Sequence, residues 1–113
     1  MNKKMALAMC NQKKITVYGD CTFASKNSGS NLYWANPNVT VLGNDWTLFL
    51  NDTINSVIHV FNIPAHSIKK GAIVTRKAKP SLIDFQISYN DPNFTDTRSK
   101  ISFAAWHVAQ FNY

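Results

Sequence analysis

Five cations crowd into eleven residues of this sequence, at Lys69, Lys70, Arg76, Lys77 and Lys79. A basic turn and strand of this kind can lie along a phosphate backbone. Each phosphate it neutralises releases condensed counterions and adds salt-dependent affinity. Thr75, Ser81, Gln86 and Asn90 lie close by in the chain and could donate to phosphate oxygens or read base edges. Gln86 joins the five cations as the candidate binding set. The competing explanation is a solvated face, because lysines also keep exposed strand edges from pairing. Tyr33, Trp34 and Trp46 are candidate stacking platforms for bases, although most aromatics in a domain of this size pack into the core.

Two further patterns could carry catalysis. Asp84-Phe85-Gln86, with Asp52 as an earlier acid, has the outline of a metal-dependent nuclease core in which carboxylates hold a divalent cation. The position usually held by lysine is Gln86 here, and an amphipathic strand explains the same alternation. His59, His66 and His107 allow metal-free acid–base chemistry of the kind a small basic ribonuclease or toxin domain would use. His59 sits among apolar residues and reads as a core histidine, while His66 lies in a turn and is the freest of the three. Cys10 and Cys21 lack the close-pair spacing of a zinc site. No glycine-rich phosphate loop and no nucleophile elbow is present. The sequence therefore points to no catalytic residue, no metal and no cofactor.

The charge pattern supports binding over catalysis. The chain has no glutamate, six aspartates and a net charge of +6. No Lys or Arg occurs in the 42 residues between Lys26 and Lys69. A positive balance favours an anionic partner, and the missing glutamate removes the commonest catalytic carboxylate.

These side chains need elements to position them. Many Val, Ile, Thr, Phe, Tyr and Trp, with few strong helix formers, favour strands. Ile15–Tyr18 and Cys21–Ala24 flank Gly19-Asp20, which predicts a hairpin with a type II′ turn. Leu32–Trp34 and Asn38–Leu42 are expected as short strands split at Asn36-Pro37. Trp46–Leu50 and Val57–Ile63 are apolar on both faces, which predicts a hairpin at the centre of the sheet. Pro64–Gly71 fits one helical turn. Ala72–Lys77 and Leu82–Tyr89 are expected as strands, with Ile83, Phe85, Ile87 and Tyr89 facing one way and Asp84, Gln86 and Ser88 the other. Asn90–Asn93 is a turn. The tail from Ser99 to Phe111 fits both a helix and a strand period, and its alanines tip the reading to helix.

The first ten residues run from basic to apolar, but about six apolar residues fall short of the ~7–15 of a secretion signal. A short helix or a leading strand is expected there. No apolar run approaches the ~18 residues of a membrane span, so a cytoplasmic protein with reduced thiols is expected.

The sequence thus predicts one α+β domain over residues 1–113. It should be β-rich, a mostly antiparallel sheet or open barrel of five to seven strands with one or two short helices. The expected role is nucleic-acid binding, DNA or RNA, as a module of a larger defence or processing system. The alternatives are a small ribonuclease or toxin domain, and an interaction subunit for an acidic partner.

Overall fold

Asn2 opens the single α-helix. Its side-chain oxygen accepts the Met5 amide at 2.9 Å, satisfying an N–H that the first helical turn would leave orphaned. The helix α1 spans Lys3–Gln12 and ends just before Lys14, whose φ of 57° turns the chain away. It buries Ala6 and Cys10 against Phe49, Ile58, Val60 and Phe111. The computed structural model describes residues 1–113.

Six strands follow: β1 (Asp20–Ser25), β2 (Leu32–Ala35), β3 (Trp46–Asp52), β4 (Val57–Ile63), β5 (Phe85–Ser88) and β6 (His107–Asn112). They form two open sheets, one of four strands in the order β1-β3-β4-β6 and one of two, β2-β5. Only the β1–β3 pair is parallel; the rest are antiparallel. The α+β, β-rich expectation therefore holds, with open sheets rather than a barrel.

The hairpin expected at the centre is there. Every residue of β3 is buried, because its two faces meet different layers. Trp46, Leu48 and Leu50, with Phe61 and Ile63 of β4, face the small sheet and its loops, meeting Tyr33, Ile83, Phe85, Ile87 and Phe103. Phe49 faces α1 instead. The molecule is thus helix, central sheet and outer β2–β5 layer. Its radius of gyration of 13.2 Å matches the ~13 Å of a compact domain of this length.

Several local expectations fail for identifiable reasons. Ile15–Tyr18 forms no strand, and no glycine has positive φ, so the Gly19 turn does not close a hairpin. Tyr18 instead donates its amide to Thr47 Oγ1 at 2.8 Å, and β1 pairs in parallel with β3. Val39–Gly43 is a 3-10 turn, with the Asn38 side chain accepting from the Thr40 amide. Pro64–Gly71 is not helical; a 3-10 turn occupies Lys70–Ala72. Ala72–Lys77 touches its neighbour through one β-bridge, Thr75 with Ile83, rather than as a strand. The tail is β6, not a helix, after a 3-10 turn at Ala104–Trp106. The break in register between Val60 and Phe61 puts His107 on the Phe61 side while Ala109 and Phe111 face α1, which scrambles the period of two.

Candidate nucleic-acid interface

The outer layer carries the basic cluster. The Arg76 amide donates to the Leu82 carbonyl at 3.0 Å and the Asp84 amide to that of Val74 at 2.7 Å. Lys79 donates its amide back to Arg76, and Leu82 to Lys79. Residues 74–84 thus form a short hairpin closed by tight turns, with Arg76, Lys77, Lys79 and Pro80 exposed at its tip. The other flank of this arm is also held, because Val39 donates to the Ser81 carbonyl and Ile83 to that of Pro37. Lys69 and Lys70 are exposed on the loop that leads into it.

None of these five cations meets a carboxylate. The one salt bridge of the molecule is Arg98 Nη1 to Asp84 Oδ2, at 2.7 Å. The other aspartates mostly organise turns. Asp45 accepts the Ala65 amide, and Asp91 those of Asn93 and Thr95. Asp96, almost wholly buried, takes the amides of Gln86 and Ser99. Asp52 accepts from the Ile54 and Asn55 amides and, at 2.7 Å, from the Tyr89 hydroxyl. Burial would raise its pKa, but those bonds outweigh it and hold the carboxyl below its ordinary value.

Register fixes which side chains share the outer face, because antiparallel partners point the same way. Tyr33 opposite Ile87 and Ala35 opposite Phe85 are buried pairs. Trp34 opposite Gln86 is therefore the outward pair. Two residues along from Gln86 lies Asp84, bonded to Arg98, and two further is Leu82. Thr75 pairs with buried Ile83 on the inner side, so Arg76, opposite Leu82, faces outward. Trp34, Gln86, Asp84, Arg98 and Arg76 thus occupy one face. Of the three stacking candidates, Tyr33 and Trp46 are each 1% exposed and Trp34 is 51% exposed. Arg98 was not among the candidates, since nothing in its sequence neighbourhood ties it to Asp84.

The nuclease-like set does not assemble. Asp84 is on the outer face of the β5 segment, paired to a guanidinium, while Asp52 meets Tyr89 on the inner side. No group of three His, Cys or Asp side chains is placed to hold a metal ion. The lysines of α1 and its C-terminal end lie apart from this basic face. Helix α1 lies against the opposite side of the central sheet, Lys13 sits over the Phe111 ring, and Lys26 caps the carbonyls of Asn27 and Ser30. Cys10 and Cys21 are free thiols, both pushed up in pKa by burial.

The histidines contain a contact the sequence did not announce. His59 Nδ1 lies 3.2 Å from His107 Nε2, and Phe94 packs against both rings at 5.0 and 5.2 Å. Burial lowers the pKa of each, and for His59 the neighbouring His107 lowers it further while Asp52 opposes. A depressed folded-state pKa means that the unfolded chain binds protons first. The stability this pair contributes is complete above the ordinary histidine value of about 6.5 and is lost as pH falls through the folded values. Thermal melts should show the midpoint several degrees lower at pH 5 than at pH 7.5, and the H59Q/H107Q variant should flatten most of that difference. An equal fall in that variant would assign the pH dependence to other groups. His66, with φ of 63°, stands apart on an exposed turn.

No helix of the chain is long and apolar enough to cross a membrane. Comparison with protein-family models, curated proteins and solved structures returns no match.

Proposed function

We propose that this chain is a nucleic-acid-binding module that lays its basic hairpin along a phosphate backbone. The observation that carries the reading is the state of the cluster. Arg76, Lys77 and Lys79 are exposed on a hydrogen-bonded hairpin, Lys69 and Lys70 lead into it, and none of the five has a carboxylate partner. Cations left unpaired in a chain with six carboxylates are available to phosphates, and the hairpin presents them from a fixed backbone. Gln86 and Arg98 on the adjoining face add donors that can position or read the ligand.

The ribonuclease reading has thinner support. Its two histidines would flank a phosphate, whereas His59 and His107 contact each other and His66 is alone.

A mobility-shift titration on duplex DNA, single-stranded DNA and RNA across a salt series tests the proposal. The expected result is affinity that falls linearly on log–log axes, by about 0.7–0.9 per phosphate contact, with the polymer left intact. No binding to any polymer at low salt, together with salt-sensitive binding to polyaspartate, would transfer the same surface to an acidic protein partner.

A further inference from the structure

We infer that the polymer on this face is single-stranded, with a base stacked on the indole of Trp34. The inference rests on the nucleic-acid reading above and narrows it to one strand form. An exposed aromatic alone means little, since isolated apolar side chains are common on surfaces. The position of this one is what matters. Trp34 projects from β2, whose pairing with β5 runs from Leu32 to Ala35, so the ring is offered from an ordered strand rather than a loop. The other large exposed apolar residues, Met5, Ile54, Val108 and Tyr113, belong to α1, the β3–β4 turn and the C-terminal strand region.

The neighbours of Trp34 suit a nucleotide. Gln86 is its direct cross-strand partner. Its amide, which makes only long 3.4 Å contacts to Asp84, can turn to meet the polar edge of a base lying on the indole. Arg76 opposes Leu82, four residues from Gln86 and roughly 13 Å away at the usual strand rise. That span corresponds to about four nucleotides at the ~3.4 Å spacing of a stacked strand. One end of the face therefore offers a π surface and the other a guanidinium, with Lys77 and Lys79 beyond. A duplex hides its base faces in the stack and would use only the cations. A single strand presents both base faces and phosphates, and stacking is indifferent to base identity.

The test compares the wild-type chain with W34A, W34F and the R76E/K77E/K79E variant on three labelled probes: a 20-nucleotide oligothymidylate, an oligouridylate of the same length and a 20-base-pair duplex. W34A should weaken single-strand binding about tenfold and duplex binding by less than twofold, with the salt dependence unchanged. W34F should keep most of the affinity; if W34A proves poorly folded by circular dichroism, quenching of wild-type tryptophan emission by single strands but not by duplex is the readout, and its absence overturns the inference. Single strands should quench tryptophan emission in the wild type and much less in W34A, since Trp46 is buried and the half-buried Trp106 is held edge-on against Phe103. The two single-stranded probes reveal whether the sugar matters. If W34A binds single strands as the wild type does, or weakens duplex and single strand equally, the stacking inference is overturned and the basic-hairpin reading survives. If the wild type binds none of the probes at low salt, both fall together.

Discussion

Replacing Arg76, Lys77 and Lys79 together by glutamate should reduce nucleic-acid affinity roughly a hundredfold near 0.1 M salt and lower the salt slope by about two to three contacts. The three exchanges take the formal net charge from +6 to zero, and they do so at one tip. The fold should barely respond. None of the three side chains hydrogen-bonds or ion-pairs within the chain, and the hairpin is closed by backbone bonds of Arg76, Lys79 and Leu82. Surface exchanges of that kind usually stay within about 0.5 kcal/mol each. The informative control is K4E/K14E, which removes charge from exposed positions at either end of α1, on the far side of the central sheet. It should leave affinity within about twofold. Equal losses from both variants would mean that net charge, not the hairpin, governs binding.

Phe61→Ala should cost about 3–5 kcal/mol, a large part of the 5–15 kcal/mol a domain of this kind has in total. The side chain is fully buried. It meets the ring of Phe94 edge-on at 4.9 Å, Phe103 at 6.4 Å and His107 at 4.9 Å. Phe103 in turn meets Phe85 of β5 at 5.3 Å and Trp106 at 5.3 Å. Removing Phe61 therefore empties the point where the central sheet, the start of β6 and the outer layer converge. A fall in melting temperature of roughly 15 °C follows from the scaling for small domains, and Phe61→Leu should recover most of it by refilling the volume. A loss below about 1 kcal/mol in denaturant titrations would mean that the aromatic cluster repacks around the gap.

The parts of this fold that were legible in the sequence are those where one local pattern met no competitor. The β3–β4 hairpin is apolar on both faces because helix and outer layer cover both faces, and its place in the 42-residue gap without Lys or Arg follows from the same burial. The alternation from Ile83 to Ile87 separated inner from outer side chains correctly, and with it placed Gln86 outside. The errors arise where distant pairing, tight turns or a register break override the local pattern. Gly19-Asp20 resembles a hairpin turn, but β1 finds better pairing with β3 some twenty-five residues on. Ala72–Lys77 is strand-like in composition, yet it makes a single bridge because the tip it leads to is held by turns. The tail was ambiguous because a 3-10 turn and a register break interrupt its period. At the candidate site, the cations were visible as a run. The partnership of Trp34 with Gln86 was not, because it depends on pairing across fifty-two residues. The contact of His59 with His107 spans forty-eight residues and was hidden for the same reason.

That the molecule holds only one ion pair, Arg98 with Asp84, would tie its own cohesion to the polyanion proposed above. Excess like charge makes a folded chain push against itself. Added salt screens that repulsion and so steadies the free protein, while the same salt loosens a bound polyanion. Folding and binding thus respond to ionic strength with opposite signs, so that weakening of the complex by salt cannot be mistaken for unfolding. A polyanion bound to the native state also raises its stability by mass action. On the nucleic-acid reading, the acidic complement that this glutamate-free chain does not encode would come from the polyanion.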